Sequence, residues 1–455
     1  MSDSRRRAEL PTGQRPHTAM ITWRPVALLG VGLVTLPLWP APWFGLLFWL
    51  ILIAVLCVVD LLLAADPNRI SMERSGDSVV QLGKSATVVL NVTNTGAKPL
   101  RGMIRDAWTP SAGADNEHYS VNLAPGTIAR LTTRLTPTRR GDRHAARVTV
   151  RSFGPLRFAD RQTRHGASRR LTPQWRIRVL PPFHSRRHLN EKVARLRVIE
   201  GTVSMRGRGQ GTEFDALREY VPGDDVRSID WRASARSSSI VVKNWRVERD
   251  RRIVSVIDTG RTSAVRIGDE PRLDAQIEAC LLLSAVASVA GDQVDALAVD
   301  TEIRAAVTGG TDRTVIPRLM QATAPLEPSL VETDFGLVVS EVLRREAKQA
   351  LVVLFTSLEP GVIAESLLPS LPSLATRHRV VVAAVSDPEV ERLRHNRGNL
   401  QDVYRAAAAE QALVERRKVA AALARYGVEV IDEPATTFAS TVVDRYLMLK
   451  ATGRL

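Results

Sequence analysis

Two apolar runs near the N-terminus constrain the fold more than any other feature of this sequence. Residues 25–40 (PVALLGVGLVTLPLWP) carry no charge, and residues 43–65 (WFGLLFWLILIAVLCVVDLLLAA) carry only Asp60. A hydrocarbon core of about 30 Å requires about 20 helical residues, so the second run is long enough to span it, whereas the first needs help from residues 20–23 or local thinning. We therefore predict a transmembrane hairpin over residues 25–65. A cleaved signal peptide is the alternative, disfavoured because a second apolar run follows at once and no small-residue cleavage site intervenes.

The charges beside these runs predict their orientation. The N-terminal segment, residues 1–24, is basic, whereas the connector at Ala41 and Pro42 is uncharged, and positive charge favours the cytoplasmic side. We therefore expect a multi-pass cell-membrane protein with two spans, both termini in the cytoplasm and the lipid bilayer as a partner. Asp60 lies about one helical turn from the end of the second span. It is either a functional intramembrane carboxylate or, as we favour, a side chain that reaches the headgroups.

The composition excludes several classes of site. The chain has 455 residues and a formal net charge of +15, which favours anionic partners, although the arginines are spread along the whole chain. Cys57 and Cys280 do not form a disulfide framework, and the eight histidines show no metal-ligand spacing. Aromatic residues are only 5% of the chain, which argues against a stacking platform for single-stranded nucleic acid.

A β domain is predicted over residues 69–182. Short segments there alternate polar and β-branched residues, for example residues 85–94 and 146–153, and turn clusters such as Ala124-Pro125-Gly126 separate them. This spacing is typical of a small antiparallel β-sandwich. We interpret the domain as a spacer and structural support rather than as an interaction module.

The segment 200–248 differs from both of its neighbours. Glycines alternate with Arg206 and Arg208, and Thr212 and Asp215 then fit the N-terminal cap of a short helix over residues 213–220. A turn at residues 222–225 ends that helix, and residues 241–247 alternate as in a strand. The glycines suggest a phosphate-binding loop, but the Gly-Lys-Ser/Thr ending that such a loop requires is missing. We expect the aromatic side chains of Tyr220, Trp231 and Trp245 to be buried in the core. We expect Arg206 and Arg208 to be exposed.

Residues 249–455 alternate strand and helix. Continuous apolar strands are predicted at residues 253–258, 349–355 and 379–385, a hairpin at 294–307, a last strand at 428–432, and helices at 271–290 and 400–426. Strands buried on both faces with crossover helices predict a doubly wound parallel sheet, whose ligand site lies at the carboxyl ends of the strands. Asp258 and Thr356 should therefore lie on the same rim.

The run G-x-G-T-E-F-x-x-L-R-E-Y-x-P-G-D-D-x-R-x-I-D-W-x-A-S-A-R, from Gly209 to Arg236, resembles the signature of the bacterial family called domain of unknown function 58. The resemblance covers roughly residue 203 to the C-terminus, and two spans plus a β domain before it are similar to family members. It implies a von Willebrand factor A-like fold and a genetic association with a MoxR-type AAA+ ATPase. Such pairs are thought to act in chaperone-like maturation or assembly of other proteins.

The same resemblance implies a site for a divalent ion on the rim, but its motif is degenerate here. Of Asp-x-Ser-x-Ser the sequence keeps Asp258 and Thr262, while Gly260 replaces the middle serine; Thr333 matches the family threonine, and Ser357 stands where an aspartate is usual. Mg²⁺ or Mn²⁺ would use Asp258, Thr262 and Thr333, with Glu359 or Asp334 as substitute ligands, but Arg261 would repel a cation. The interpretation we favour is that Asp258 pairs with Arg261 or caps the next segment, and that the rim binds protein without metal. The predicted rim comprises Asp258, Gly260, Thr262, Thr333, Thr356, Ser357 and Glu359.

Three functions follow as hypotheses. The first, which we favour, is a membrane-anchored adaptor or chaperone-like scaffold that is not an enzyme, has no catalytic residues, and works with a MoxR-type AAA+ ATPase and an unidentified client protein. The second is a hydrolase using carboxylates of the signature segment. The third is an anionic-ligand or nucleic-acid binder, disfavoured because acidic residues are interspersed. The candidate residues of the signature segment are Arg206, Arg208, Glu213, Arg218, Tyr220, Asp224, Asp225, Arg227, Asp230, Trp231 and Arg236.

Overall fold

The computed structural model describes residues 19–163, 168, 171–206, 213–222, 224–246, 251–310 and 314–455, with the side chains of residues 19–21, 200–216, 244–250 and 310 outside this description. Its contacts divide the chain into two compact units, Met1–Val179 and Leu180–Leu455.

The first unit begins with strand β1 (Ala19–Ile21) and two apolar helices, α1 (Trp23–Thr35) and α2 (Pro42–Leu63), joined through a 3₁₀ turn at Leu36–Leu38. The indole nitrogen of Trp49 on α2 donates to the Thr35 hydroxyl at the end of α1, at 3.0 Å. Glycine lets the helices approach, because a Cβ at Gly32 would lie 2.8 Å from the Trp49 ring. Within the described residues, α2 is the one helix long and apolar enough to cross a membrane; α1 is shorter.

A β-sheet domain follows the helices, as predicted. Strands β2 (Ile70–Gly76), β4 (Ala86–Asn94) and β7 (Ile128–Leu135) form a three-stranded antiparallel sheet. A larger sheet contains β1 and six further strands: β3 (Val79–Gln81), β5 (Leu100–Trp108), β6 (His118–Leu123), β8 (Gly141–Phe153), β9 (Ala159–Gln162) and β10 (Arg176–Leu180). Leu90 and Val92 of the first sheet share a buried cluster with Ile104 and Val150 of the second, so alternate side chains of both sheets form the core.

Asp60 fixes the end of α2 to the β domain. Its carboxylate is fully buried and accepts hydrogen bonds from the backbone N–H groups of Leu156, Phe158 and Ala159, at 2.8, 2.7 and 3.1 Å. The expectation that Asp60 reaches the headgroups is therefore wrong. Helix α1 is held at the same place, because Arg24 donates to the Leu156 carbonyl at 2.8 Å and β1 pairs with β9.

The second unit opens with helix α3 (Leu189–Arg206) and a two-stranded hairpin, in which β11 (Glu213–Glu219) pairs antiparallel with β12 (Val241–Arg246). The connection between these strands contains the short helix α4 (Trp231–Ser234). The predicted helix over residues 213–220 is wrong. Pairing with β12 satisfies the backbone of this stretch, and such tertiary pairing overrides a local capping pattern.

An α/β domain follows, as predicted. Its strands are β13 (Arg252–Asp258), β14 (Arg266–Ile267), β15 (Glu270–Pro271), β16 (Gln293–Val299), β17 (Ile303–Gly310), β18 (Leu351–Thr356), β19 (Arg379–Ser386) and β20 (Glu429–Pro434). Its helices are α5 (Arg272–Val289), α6 (Val315–Thr323), α7 (Phe335–Arg345), α8 (Leu368–Ala375, preceded by helical turns from Pro360), α9 (Pro388–His395), α10 (Leu400–Ala424) and α11 (Ala435–Ala451).

The six-stranded sheet of this domain has the order β17-β16-β13-β18-β19-β20, with every neighbouring pair parallel except β16 and the edge strand β17. One face packs against α3, α5, α6 and α11, and the other against α7, α8 and α10. The chain leaves β13 and β18 in opposite directions across the sheet. Their carboxyl ends therefore flank a crevice, where open α/β sheets bind ligands.

Candidate functional site at the sheet edge

Asp258, the last residue of β13, is the centre of a buried polar cluster at this crevice. Its carboxylate accepts hydrogen bonds from the Gly260 N–H at 2.8 Å, from the Thr262 hydroxyl at 3.1 Å and from the Thr356 hydroxyl at 2.6 Å. The Thr333 hydroxyl donates to the same oxygen as the Gly260 N–H, whereas the Thr262 and Thr356 hydroxyls donate to the other oxygen. The structure therefore brings together five of the predicted rim residues, contributed by three separate segments of the chain.

Gly260 is required by the close approach of the segment that carries Thr333. A Cβ at this position would overlap the Thr333 hydroxyl and would lie 2.9 Å from the Val331 carbonyl oxygen and 3.1 Å from the Asp258 carboxylate. A serine here would displace that segment. The glycine and the packed threonine therefore form one arrangement.

The donors of this cluster do not fit a divalent cation. Asp258 supplies its one carboxylate, and both oxygens are occupied by hydroxyl or N–H donors. Mg²⁺ requires near-octahedral oxygen ligands and usually one or two carboxylates with several waters. Of the two expected substitutes, Glu359 pairs with Arg261 and Asp334 caps α7 through the Leu337 N–H at 3.0 Å. No group of three or more His, Cys, Asp or Glu side chains that could hold a metal occurs in the described part of the chain.

Of the two alternatives expected for Asp258, pairing with Arg261 is wrong, whereas its carboxylate does accept hydrogen bonds from the segment that follows it, at Gly260 and Thr262. The Arg261 guanidinium lies 3.1 Å from the Glu332 carboxylate and 3.2 Å from that of Glu359, all three side chains being solvent-accessible. Ser357, also a predicted rim residue, is buried beside Thr356, and its hydroxyl has no hydrogen-bond partner in the described structure. The rim surface therefore carries a charged group, while the polar cluster lies beneath it.

A loop that the sequence did not single out crosses this rim. Ser329 donates its N–H to the Thr259 carbonyl at 2.8 Å, and the Arg261 N–H donates to the Val331 carbonyl at 2.8 Å. The Ser329 hydroxyl also donates to the buried Asp300 carboxylate at 2.5 Å. Leu330, between these two anchors, is 84% exposed. The loop therefore holds the Leu330 side chain outward, with hydrogen bonds fixing the backbone on either side of it.

Two ionisable side chains support the rim from below. Burial acts to raise the pKa of Asp300, but hydrogen bonds from Ser329 and Arg304 outweigh it and hold that pKa below its usual value. Arg272, the first residue of α5, is buried and donates to the Thr262 carbonyl at 2.7 Å; burial lowers the pKa of its guanidinium. Asp300 is the last residue of the first strand of the predicted hairpin, and this position at a strand end could have identified it.

The carboxylates of the signature segment have structural partners. Asp224 accepts hydrogen bonds from both terminal nitrogens of the Arg218 guanidinium, at 2.7 and 2.6 Å. Asp225 accepts the Arg227 N–H at 2.9 Å. Asp230 caps α4 and pairs with Lys243 at 3.2 Å. The pKa of Asp230 is lowered, mainly by the hydrogen bond that it accepts from the Ala233 N–H. Each carboxylate therefore has a local hydrogen-bond donor.

The exposure of the signature aromatics differs from expectation. Trp231 is 66% exposed rather than core, because it occupies the first turn of a four-residue helix, and Tyr220 is half-buried. Arg218, Arg227 and Arg236 are exposed. Gly207–Thr212, with Arg208, lie outside the described residues, and so do the side chains of Arg206, Glu213, Asp215 and Trp245.

Comparison with known proteins adds a family but no activity. Residues 216–429 match the family described as "Protein of unknown function DUF58". The uncharacterized proteins Rv1480 of Mycobacterium tuberculosis and Mb1516 of Mycobacterium bovis are each 25% identical over 182 residues, which is 40% of this chain. The chain spans 56% of the length of these relatives.

Solved structures give only distant likenesses. The CARDB domain of a Pyrococcus furiosus protein, in complex with di-metal ions, is 19% identical with a TM-score of 0.19, covering 26% of this chain and 90% of that one. The GH20 exo-β-N-acetylglucosaminidase of Vibrio harveyi, in complex with N-acetylglucosamine, is 10% identical with a TM-score of 0.17, covering 81% and 82%. Neither likeness carries an argument about this chain.

Proposed function

Since residues 216–429 belong to the DUF58 family, whose function is unknown, we propose a function from the geometry of the site itself. The chain is a membrane-anchored adaptor, or chaperone-like scaffold, whose α/β domain binds a protein partner at the carboxyl edge of its sheet. The binding surface comprises Leu330, Val331, Arg261, Glu332 and Glu359. A MoxR-type AAA+ ATPase is the proposed partner.

The observation that carries this proposal is the presentation of Leu330. An apolar side chain at 84% exposure is unfavourable in water, and here the backbone on either side of it is tied to Thr259 and Arg261. A side chain on a backbone that is already held requires less ordering on binding, which is a property of interface anchor residues. The partner expected from this chemistry has an apolar pocket with charged groups at its border.

The strand order supports a von Willebrand factor A-like arrangement, in which partners bind at this same edge. In the proposed mechanism the hydroxyl cluster around Asp258 takes over the structural role of a metal ion. It holds three loops together beneath the surface, and the partner contacts the surface directly. A Mg²⁺ or Mn²⁺ titration of the purified chain tests this part: saturable binding that Asp258→Ala abolishes would contradict it.

The partner proposal is tested by affinity purification of the tagged full-length chain from native membranes, with and without ATP, followed by mass spectrometry. We expect nucleotide-sensitive recovery of an AAA+ ATPase with the native chain and its loss with Leu330→Glu. Leu400→Glu is the matched control, because Leu400 is 73% exposed at the start of α10. Equal recovery with both variants, or no ATPase with the native chain despite its expression, would contradict the proposal.

The anchor is proposed to be a hairpin of α1 and α2 with both chain termini in the cytoplasm. Its support is that residues at both ends of the helix pair, Arg24 and Asp60, contact the same loop of the β domain. Helix α2 alone would extend roughly 33 Å, enough for a hydrocarbon core. A reporter fused after Leu455 should behave as cytoplasmic, and a reporter signal from the opposite side would refute this topology.

A further inference from the structure

We propose that residues 220–240 of the signature segment, the connection between β11 and β12, form a docking surface for an anionic phospholipid membrane. This surface is separate in sequence from the sheet-edge loops and would serve a different purpose. It would bring the second unit against the bilayer in which the chain is anchored.

In the connection, the acidic side chains are engaged by local hydrogen bonds, whereas the basic side chains are exposed. Asp224, Asp225 and Asp230 are engaged by backbone N–H groups, and two of them also pair with basic side chains of the flanking strands. The remaining basic side chains, Arg227, Arg232 and Arg236, are all exposed, and none forms an ion pair with any described residue. The local acids therefore stabilise the turn, while three arginines remain available to anions.

Large apolar side chains are exposed among these arginines. Val221, Val226 and Trp231 are 56, 60 and 66% exposed. Tryptophan favours the interface of a bilayer, because its apolar ring and its N–H suit the boundary between acyl chains and headgroups. Arginines beside such groups attract anionic headgroups. The aliphatic valines have no role in binding a phosphate backbone, so the combination favours a lipid surface over a nucleic acid.

Hydrogen bonds hold the described residues of the connection at both of its ends, so these side chains are displayed on a supported backbone. The Asp230 N–H donates to the Val241 carbonyl at 3.0 Å, and Ile229 forms an antiparallel bridge with the buried Val242 of β12. The Tyr220 N–H donates to the Ile240 carbonyl at 2.8 Å at the other end. Exposure of Trp231 therefore does not arise from a loose terminus, and little ordering cost remains to be met on docking.

The covalent link to α2 makes a membrane the partner that is always nearby. Tethering converts docking into an intramolecular step with a high effective concentration, so three arginines and a few apolar groups suffice. Each arginine near an anionic surface contributes roughly a fivefold factor to the docked population, so removing three lowers it roughly a hundredfold.

Hydrogen–deuterium exchange of the full-length chain in nanodiscs tests the proposal. We expect peptides covering residues 220–240 to exchange more slowly in nanodiscs that contain phosphatidylglycerol than in pure phosphatidylcholine. This protection should disappear at high salt and in the triple variant Arg227→Gln, Arg232→Gln, Arg236→Gln. The exposed triple Arg392→Gln, Arg405→Gln, Arg417→Gln removes the same net charge elsewhere and should leave the protection intact.

Three results would overturn the inference. Equal exchange of residues 220–240 in both lipid compositions would exclude a lipid-specific contact. Loss of protection in the control triple as well would show only a general charge effect. Protection in phosphatidylcholine nanodiscs that arises only when RNA or an acidic protein is added would assign the surface to that other class of partner.

Discussion

Removing the Asp60 carboxylate should detach the end of α2 from the β domain. The side chain is fully buried and accepts three backbone N–H groups, those of Leu156, Phe158 and Ala159. A hydrogen bond to a charged group contributes about 1.5 to 3 kcal/mol. Water can reach the loop once it opens and the three contributions are not additive, so we expect Asp60→Ala to lower the free energy of local opening by about 3 to 5 kcal/mol.

Amide exchange of the full-length chain in nanodiscs measures this directly. A loss of about 3 kcal/mol corresponds to an acceleration of roughly two orders of magnitude for the amides of Leu156, Phe158 and Ala159. Asp66→Ala is the matched control, because Asp66 is an exposed carboxylate six residues further along whose one hydrogen-bonding partner among the described side chains and N–H groups is Asn68. Exchange of the three amides within about threefold of the native rate would refute the reasoning.

Gly154 offers an independent test of the same contact. A Cβ there would overlap both the carboxylate and the backbone carbonyl of Asp60. Gly154→Ala should therefore accelerate exchange in the same loop although every hydrogen-bonding group is retained. Gly361→Ala, whose Cβ would meet no atom within 4 Å, should leave that loop unchanged. If the two glycine variants behave alike, the close approach of α2 to the loop is wrong.

Three further changes test the α/β domain by denaturant unfolding of the purified full-length chain. Asp258→Asn removes one acceptor oxygen from the hydroxyl cluster and should lower the free energy of unfolding by about 1 to 3 kcal/mol. Added Mg²⁺ should stabilise neither the native chain nor this variant. A Mg²⁺-dependent rise in the unfolding free energy of the native chain alone would contradict this. Burial lowers the pKa of His378 below its ordinary 6.5, so the unfolded chain binds the proton more readily and stability should fall as pH drops below 6.5. His378→Asn, which can still accept from Ala350, should flatten that dependence; an unchanged pH profile would exclude His378 as its source. Tyr446→Phe removes a buried 2.6 Å hydrogen bond to Asp292 and should cost about 1 to 3 kcal/mol, whereas a neutral effect would show that Lys450 alone satisfies the carboxylate.

The sequence by itself determined the elements whose signal is long and continuous. The apolar helix α2, the alternating strands of the β domain and the buried strands of the α/β sheet follow from hydrophobic periodicity, because burial of one or both faces dictates which positions are apolar. The aspartate and threonine of the rim were predictable for the same reason: Asp258 and Thr356 each directly follow a run of buried strand residues. Helices α3 and α11, which cover one face of the sheet, were not predicted.

Only the tertiary structure decided what the polar residues do, because their role depends on partners distant in sequence. Asp60 lies in the last turn of an apolar helix yet is buried by a loop some hundred residues away. Residues 213–219 carry the cap pattern of a helix but pair with β12, which satisfies their backbone. Arg261 faces Glu332 and Glu359 rather than Asp258, and Leu330 is exposed because hydrogen bonds hold the backbone on either side of it. The local pattern of apolar residues indicates which faces of a helix or strand must be buried. A hydrogen bond between groups remote in sequence, in contrast, forms only after those faces have packed.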